Sequence, residues 1–287
     1  MIRMNFSIRL QYRIARQPGD FIFNIHAAQT AYQNVVAENL RIDPFVSAPI
    51  EVDPASGSRF VRLTAGPGDL YVSYDATVDI SHRTEAPENI QEIGVSRLPL
   101  AVLPYLYPSR YCQSDRLYSL ASAEFGNLQQ GYARVQAIND WVRVRTQFRS
   151  ASSNSSTSAI DTIVEKVGVC RDFAHLMIAL CRAVNIPARF VTGIDYGADP
   201  ALGPTDFHAY VEVWLADRWY LFDPTGLIPR SGLIRIGTGR DAADASFATI
   251  FGSVESGAPL IAITAVEDAT LGLSLPRMDD CALSTHA

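Results

Sequence analysis

The sequence is poor in cysteine, in runs of one charge and in long apolar stretches. Its four cysteines, Cys112, Cys170, Cys181 and Cys281, lie far apart among 287 residues, which is no disulfide framework. The arginines are scattered and the formal net charge is -6, so a nucleic-acid partner is not expected. No segment reaches the ~18 uncharged apolar residues of a membrane span, so a membrane partner is not expected either. Arg3, Arg9, Arg13 and Arg16 interrupt any apolar core of an export signal near the start. Together these absences predict a cytoplasmic protein with reduced thiols. Internal repeats and metal-ligand spacings are missing too, and neither a cofactor nor a metal is expected. "DYGADPALGPTD" holds Asp195, Asp199 and Asp206, but not at calcium-loop spacing, and reads as a solvated loop. "GTGRD", at 237–241, lacks the Lys-Ser/Thr of a phosphate loop, which leaves Arg240 and Asp241 to brace a site or each other.

What is present is an ordinary globular composition, 48% hydrophobic and 19% charged, at a length that suggests two domains. The first hundred residues alternate with period two. Phe6, Ile8, Leu10, Tyr12 and Ile14 share one face, as do Phe21, Phe23 and Ile25, and as do Leu70, Val72, Tyr74, Ala76, Val78 and Ile80. Turn-forming "QPGD", "DPASGS" and "AGPGD" divide these runs. The pattern predicts an N-terminal antiparallel β-sandwich-like domain over 1–105, ended by Pro99, Pro104 and Pro108. Helical spacing then takes over, so that 106–287 reads as an α+β unit. It starts with a short helix capped by Ser114 and a longer one over about 128–147. A Ser-rich polar loop follows, then a short helix from Ala159 to Val167 stopped by Gly168.

The next helix carries the chemistry. Val169, Phe173, Leu176, Met177, Leu180 and Val184 form an apolar stripe ended by Asn185, Ile186 and Pro187. Cys170 lies in its first turn, where unpaired N–H groups and the positive dipole end favour a thiolate and an oxyanion. Position alone leaves Cys170 open between a packing thiol and a nucleophile. Cys181 lies about 16 Å further along the helix, too far for a disulfide with Cys170, and reads as packing.

A thiol nucleophile needs a base and a group to orient that base. His175 is turned about 140° around the helix from Cys170. His26 and His82 belong to the β domain and His286 to the tail, which leaves His208. "DFHAYVEVWLADRWYLFDPTG" reads as a β-hairpin with His208, Tyr210, Glu212 and Trp214 on one face. A two-residue turn at Ala216 and Asp217 pairs Leu215 with Arg218. That register makes Asp223 the diagonal neighbour of His208, whereas a three-residue turn would send them to opposite faces. Each residue alone also has a plain structural role: a satisfied strand histidine, and a turn Asp before Pro224.

"GVCRDFAHLMIALCRAVNIPARFVTG", "DFHAYVEVWL" and "RWYLFDPTG" resemble the transglutaminase-like superfamily, in particular its bacterial candidate cysteine proteases. "YPSRYCQSD" and the β region before it resemble that group's N-terminal domain, and "GLIRIGTGRDAADASFATIFG" the segment after the core. The resemblance implies a papain-like, transglutaminase-like α+β core with a C-terminal extension over 106–287. It implies a triad of Cys170 as nucleophile, His208 as base and Asp223 as orienter. A thiol hydrolase acting on peptide, isopeptide or amide bonds through a thioester follows, with acyl transfer to an amine, as in a protein-glutamine γ-glutamyltransferase, or a non-catalytic peptide-binding module as alternatives. The partner would be a peptide or protein substrate. A second oxyanion donor is not mapped by the resemblance, and Trp141 is a candidate only through its place before the cysteine helix.

Overall fold

The computed structural model describes residues 1–197 and 205–286. In chain order the first seven strands are β1 (Ile2–Ile14), β2 (Gly19–Phe23), β3 (Gln33–Asp43), β4 (Ile50–Val52), β5 (Arg59–Ala65), β6 (Gly68–Ile80) and β7 (Arg83–Glu85). Then come α1 (Tyr118–Phe125), α2 (Tyr132–Arg145), β8 (Gln147–Phe148), α3 (Ala159–Glu165), β9 (Val167–Gly168) and α4 (Cys170–Ala183). The strands that follow are β10 (Ala188–Asp195), β11 (His208–Leu215), β12 (Arg218–Phe222), β13 (Leu233–Gly239), β14 (Ala248–Phe251), β15 (Val254–Ser256), β16 (Leu260–Val266) and β17 (Ala282–His286), with short 3-10 turns at Arg230–Gly232 and Ala269–Leu271. The class is α+β with antiparallel main sheets.

Alternation builds the first unit. β1 and β6 pair without a slip from Ile2↔Ile80 to Ile14↔Gly68, which puts their apolar faces on one side. Phe6, Ile8, Leu10, Tyr12 and Ile14 are buried there, together with Leu70 to Ile80 at every second position. The sheet of β2 and β5 covers them with Phe21, Phe23, Val61 and Leu63. At about 2 kcal/mol per buried large side chain, this inner layer is the main source of the sandwich's stability. The sandwich is not built from residues 1–105 alone. β14 pairs with β2, and β15 and β16 both pair with β1.

The second unit is a six-stranded sheet in the order β13-β10-β11-β12-β17-β7, whose last strand comes from the N-terminal hundred residues. α4 packs on the face carrying Ala209, Val211, Val213 and Leu215. From the other side Ile194, Ile234 and Ile236 reach into the sandwich core, so the two units share apolar packing. Local boundaries differ from expectation in three places. Ser114 opens a short 3-10 turn and Leu117 precedes α1. α2 starts at Tyr132. α3 ends at Glu165, and Lys166 after it takes the left-handed conformation (φ 56) expected of Gly168. Gly168 has another use: a Cβ there would sit 2.7 Å from that of Asp172, so glycine lets Asp172 fold back over the start of α4.

Candidate active site

Cys170 is the first residue of α4 and is half-buried. Asp172, fully buried, fixes that helix start. Its Oδ2 accepts the backbone N–H of Val169 at 2.9 Å, and its Oδ1 accepts Ser153 Oγ at 2.9 Å. The Ser-rich polar loop is thereby tied to the helix, and the Arg171 guanidinium donates to Ser153 Oγ at 2.8 Å from the same turn. The amides of Cys170 and Arg171 stand at the first helical positions, where no intrahelical carbonyl is available. Asp172 was legible only as an acid three residues after the helix boundary, a capping spacing that the sequence reading left without a role.

His208 opens β11, and the hairpin has the two-residue turn. Leu215 pairs with Arg218, Trp214 with Trp219 and Val211 with Phe222. Both turn residues, Ala216 (φ 44) and Asp217 (φ 60), are left-handed, the twist-matched form of a two-residue hairpin. The register carries Asp223 to the diagonal position, with Oδ1 3.5 Å from His208 Nε2. The same Oδ1 accepts the Thr225 N–H at 2.9 Å and hydroxyl at 2.6 Å. Burial alone would push the Asp223 carboxyl up, but His208 and these Thr225 bonds hold it below the usual carboxylate range. Because α4 covers the opposite sheet face, Cys170 meets His208 at the sheet rim. Its Sγ lies 4.0 Å from Phe207 O and interacts with the imidazole. Burial pushes His208 down, yet the Cys170 sulfur and the Asp223 carboxylate outweigh it and raise the imidazole well above its ordinary value.

A second carboxylate reaches the same ring. Asp195 Oδ2 lies 3.2 Å from His208 Nδ1, and Asp195 is 3% exposed. This corrects the reading of Asp195 as part of a solvated loop: β10 runs through it between β11 and β13, and burial raises its carboxyl. Asp199 of that segment lies outside the described residues. Asp206 is exposed, its Oδ1 accepting the Phe207 N–H at 2.7 Å. Tyr210 packs edge-on to the His208 ring at 4.6 Å.

Cys170, Asp195 and His208 line a cleft of about 970 Å³, walled by Phe190, by the Ser-rich loop and by Phe207 stacked at 4.4 Å on Phe247. The wall includes Ala248 of β14, so the sandwich borders the cleft. Other candidates lie elsewhere. Trp141 donates Nε1–H to Glu124 at 3.0 Å on α2 and does not line the cleft. His175 is fully buried, accepting the Ala242 N–H at 3.1 Å and stacked on Tyr111 at 4.9 Å. Cys181 is fully buried in the core. Arg240 pairs with Asp244 rather than Asp241, whose carboxylate accepts the N–H groups of Tyr111 and Ala243. Among the described residues no His, Cys, Asp or Glu side chains group as a metal-ligand set, and no helix is long and apolar enough to cross a membrane.

The family model described as transglutaminase-like superfamily matches residues 119–224, and that of the bacterial transglutaminase N-terminal domain matches residues 2–101. The crystal structure of a protein from Cytophaga hutchinsonii, named as a candidate cysteine protease, is 40% identical and superposes with a TM-score of 0.91 over 99% of this chain and 97% of its own. An uncharacterized protein of Mycobacterium leprae is 27% identical over 144 residues, 48% of this chain and 51% of the relative, so that match spans about half the relative's length. An uncharacterized protein of Mycobacterium tuberculosis is 28% identical over 242 residues, 74% of each chain.

Proposed function

The chain belongs to the transglutaminase-like superfamily, and from that premise we propose that it is a cysteine peptidase or amidase. It is a thiol hydrolase that cleaves peptide, isopeptide or amide bonds of a peptide or protein substrate in the cytoplasm. The supporting observation is the convergence of Cys170, His208 and Asp223, drawn from a helix start, a strand start and the residue after a strand, with Cys170 and His208 lining one cleft and Asp223 against the His208 ring. With Nε2 turned to Asp223, His208 works through Nδ1. The Cys170 thiolate attacks the carbonyl carbon, forming a C–S bond, and the N–H groups at the start of α4 receive the oxyanion. Nδ1–H passes its proton to the amide nitrogen as the C–N bond breaks, which releases the amine and leaves a thioester. Water then attacks the thioester, Nδ1 takes its proton, the C–S bond breaks and the acid leaves.

A screen of peptides and isopeptides tests this. Wild type releases new amine groups and Cys170→Ala does not; equal release by both ends the proposal. Iodoacetamide gives an independent measure. Cys170 alkylates faster than the exposed Cys281, while the buried Cys112, pushed up to about 12 by burial, is spared in the native protein. Equal rates at Cys170 and Cys281 remove the activation.

Acyl transfer to an amine runs through the same thioester. Product analysis with and without added methylamine separates it from hydrolysis, and background from self-crosslinking is small because Lys166 is the only lysine. A Cys170→Ala protein that keeps the full biological role points instead to a peptide-binding module.

A further inference from the structure

We propose that Asp195 is a positioning residue of this site, which holds the Nδ1–H of His208 and selects the doubly protonated ring. The inference rests on the proposed function, because it concerns the base of that triad. The geometry is two-sided. Asp195 lies 3.2 Å from Nδ1 and Asp223 3.5 Å from Nε2, on the two strands that flank β11 or follow from them. A neutral imidazole carries one N–H, and only the imidazolium donates from both nitrogens. A carboxylate at each nitrogen therefore favours the charged ring, and with it the thiolate of Cys170.

The placement is built into the sheet. Gly193 pairs with His208, so Asp195, two residues on, shares its sheet face as a diagonal neighbour. β10 shifts register against β13 between Thr192 and Gly193. A Cβ at Gly193 would stand 2.3 Å from Leu233 Cδ1 and 2.4 Å from Ile234 O, so glycine is what lets β13 pass this close and seal Asp195 in. The result is a carboxylate buried within hydrogen-bond distance of the nitrogen that must hand over the proton. It gives that proton a resting acceptor, and it keeps the ring from rotating away before an amide enters the cleft. The charged and titratable groups facing His208 are Cys170 from α4, Asp195 from β10, Tyr210 from β11 and Asp223 beyond β12, with Arg171 and Asp206 in the cleft walls.

The test is the pH profile of Cys170 alkylation by iodoacetamide in wild type, Asp195→Asn and Asp195→Glu. In wild type the thiolate–imidazolium pair gives a reactive plateau that ends where His208 loses its proton. Asp195→Asn moves that end downward by about one pH unit, a roughly 10-fold change in the imidazolium-to-imidazole ratio at a given pH, and Asp195→Glu restores part of it. A wild-type plateau left unmoved by Asp195→Asn overturns the role of Asp195 alone. A wild-type profile with a single rise at alkaline pH and no plateau at lower pH overturns the proposed function and this inference together. Should the variants fail to fold, ¹⁵N-histidine NMR of the unaltered protein decides. A His208 Nδ1–H signal, assigned with His208→Gln, that is shifted strongly downfield and protected from solvent exchange at neutral pH, as a hydrogen bond to the buried Asp195 carboxylate gives, supports the inference, and a neutral ring or a freely exchanging Nδ1–H overturns it.

Discussion

Asp223 Oδ1 lies 3.5 Å from His208 Nε2 because Leu215 pairs with Arg218. Asp223, the residue after β12, lies fifteen positions beyond His208 at the start of β11, and a turn of two residues decides whether their side chains share a face. One glycine inserted between Ala216 and Asp217 transfers Asp223 to the other face. The expected result is a folded protein with amide cleavage reduced at least about 100-fold. In the other direction, Ala216→Asn with Asp217→Gly relieves two left-handed non-glycine residues. That double change stabilises the protein by about 1 kcal/mol, read as a higher urea midpoint with activity unchanged.

Thr225 supports the same carboxylate from below with two hydrogen bonds to Oδ1. Thr225→Val keeps the backbone bond and loses the hydroxyl, which weakens a charge-assisted contact worth about 1.5–3 kcal/mol. Activity falls several-fold to about 100-fold, and Asp223→Asn falls further, because the imidazolium loses its charge partner. Comparing kcat/KM for the two variants orders the effects, and the reverse order would place the orienting charge elsewhere.

Stability is expected to fall in acid for a reason outside the candidate site. His26 is buried, packed at 4.5 Å on Tyr74, and its side chain has no hydrogen-bond partner among the described residues. Burial, with Arg59 nearby and only partly opposed by Glu38, lowers it to about 4 from 6.5. Its folded-state value is depressed, so its contribution is fully present above about pH 6.5 and is lost as the pH falls toward about 4. That window carries about 3 kcal/mol. His175, lowered well below its ordinary value by burial and by Arg171 and Arg182, acts in the same direction. Urea midpoints measured from pH 7 to pH 4 therefore decline, and His26→Gln makes the slope shallower. His208 has the opposite sign: its raised value contributes below pH 6.5 and is lost as the pH rises through it.

Glu212, fully buried, joins Arg189 at 2.6 Å and Arg235 at 2.8 Å, tying three neighbouring strands together. Arg189 also lies over the Trp219 ring at 4.0 Å. Glu212→Gln leaves two buried guanidinium groups short of a countercharge and costs about 3–5 kcal/mol. Thermal melting should show a loss of about 10 °C, with the alkylation profile of Cys170 kept in the folded fraction.

Much of this protein was readable from the chain because its signals are local. Period-two alternation set the faces of β1 and β6, helical spacing set the buried stripe of α4, and an Ala-Asp turn set the register that brings Asp223 beside His208. Each depends on neighbours a few residues apart, where side-chain direction follows from backbone geometry. Tertiary structure decided the rest. Residues 248–266 return to the sandwich because β1 and β2 have edges to fill, and no local pattern specifies which edge a distant strand will find. Asp195 looked like one more acid in a polar segment. Its fate was decided by two strands closing on either side of β10, since burial and the approach of His208 Nδ1 are properties of the assembled sheet and not of the sequence around it.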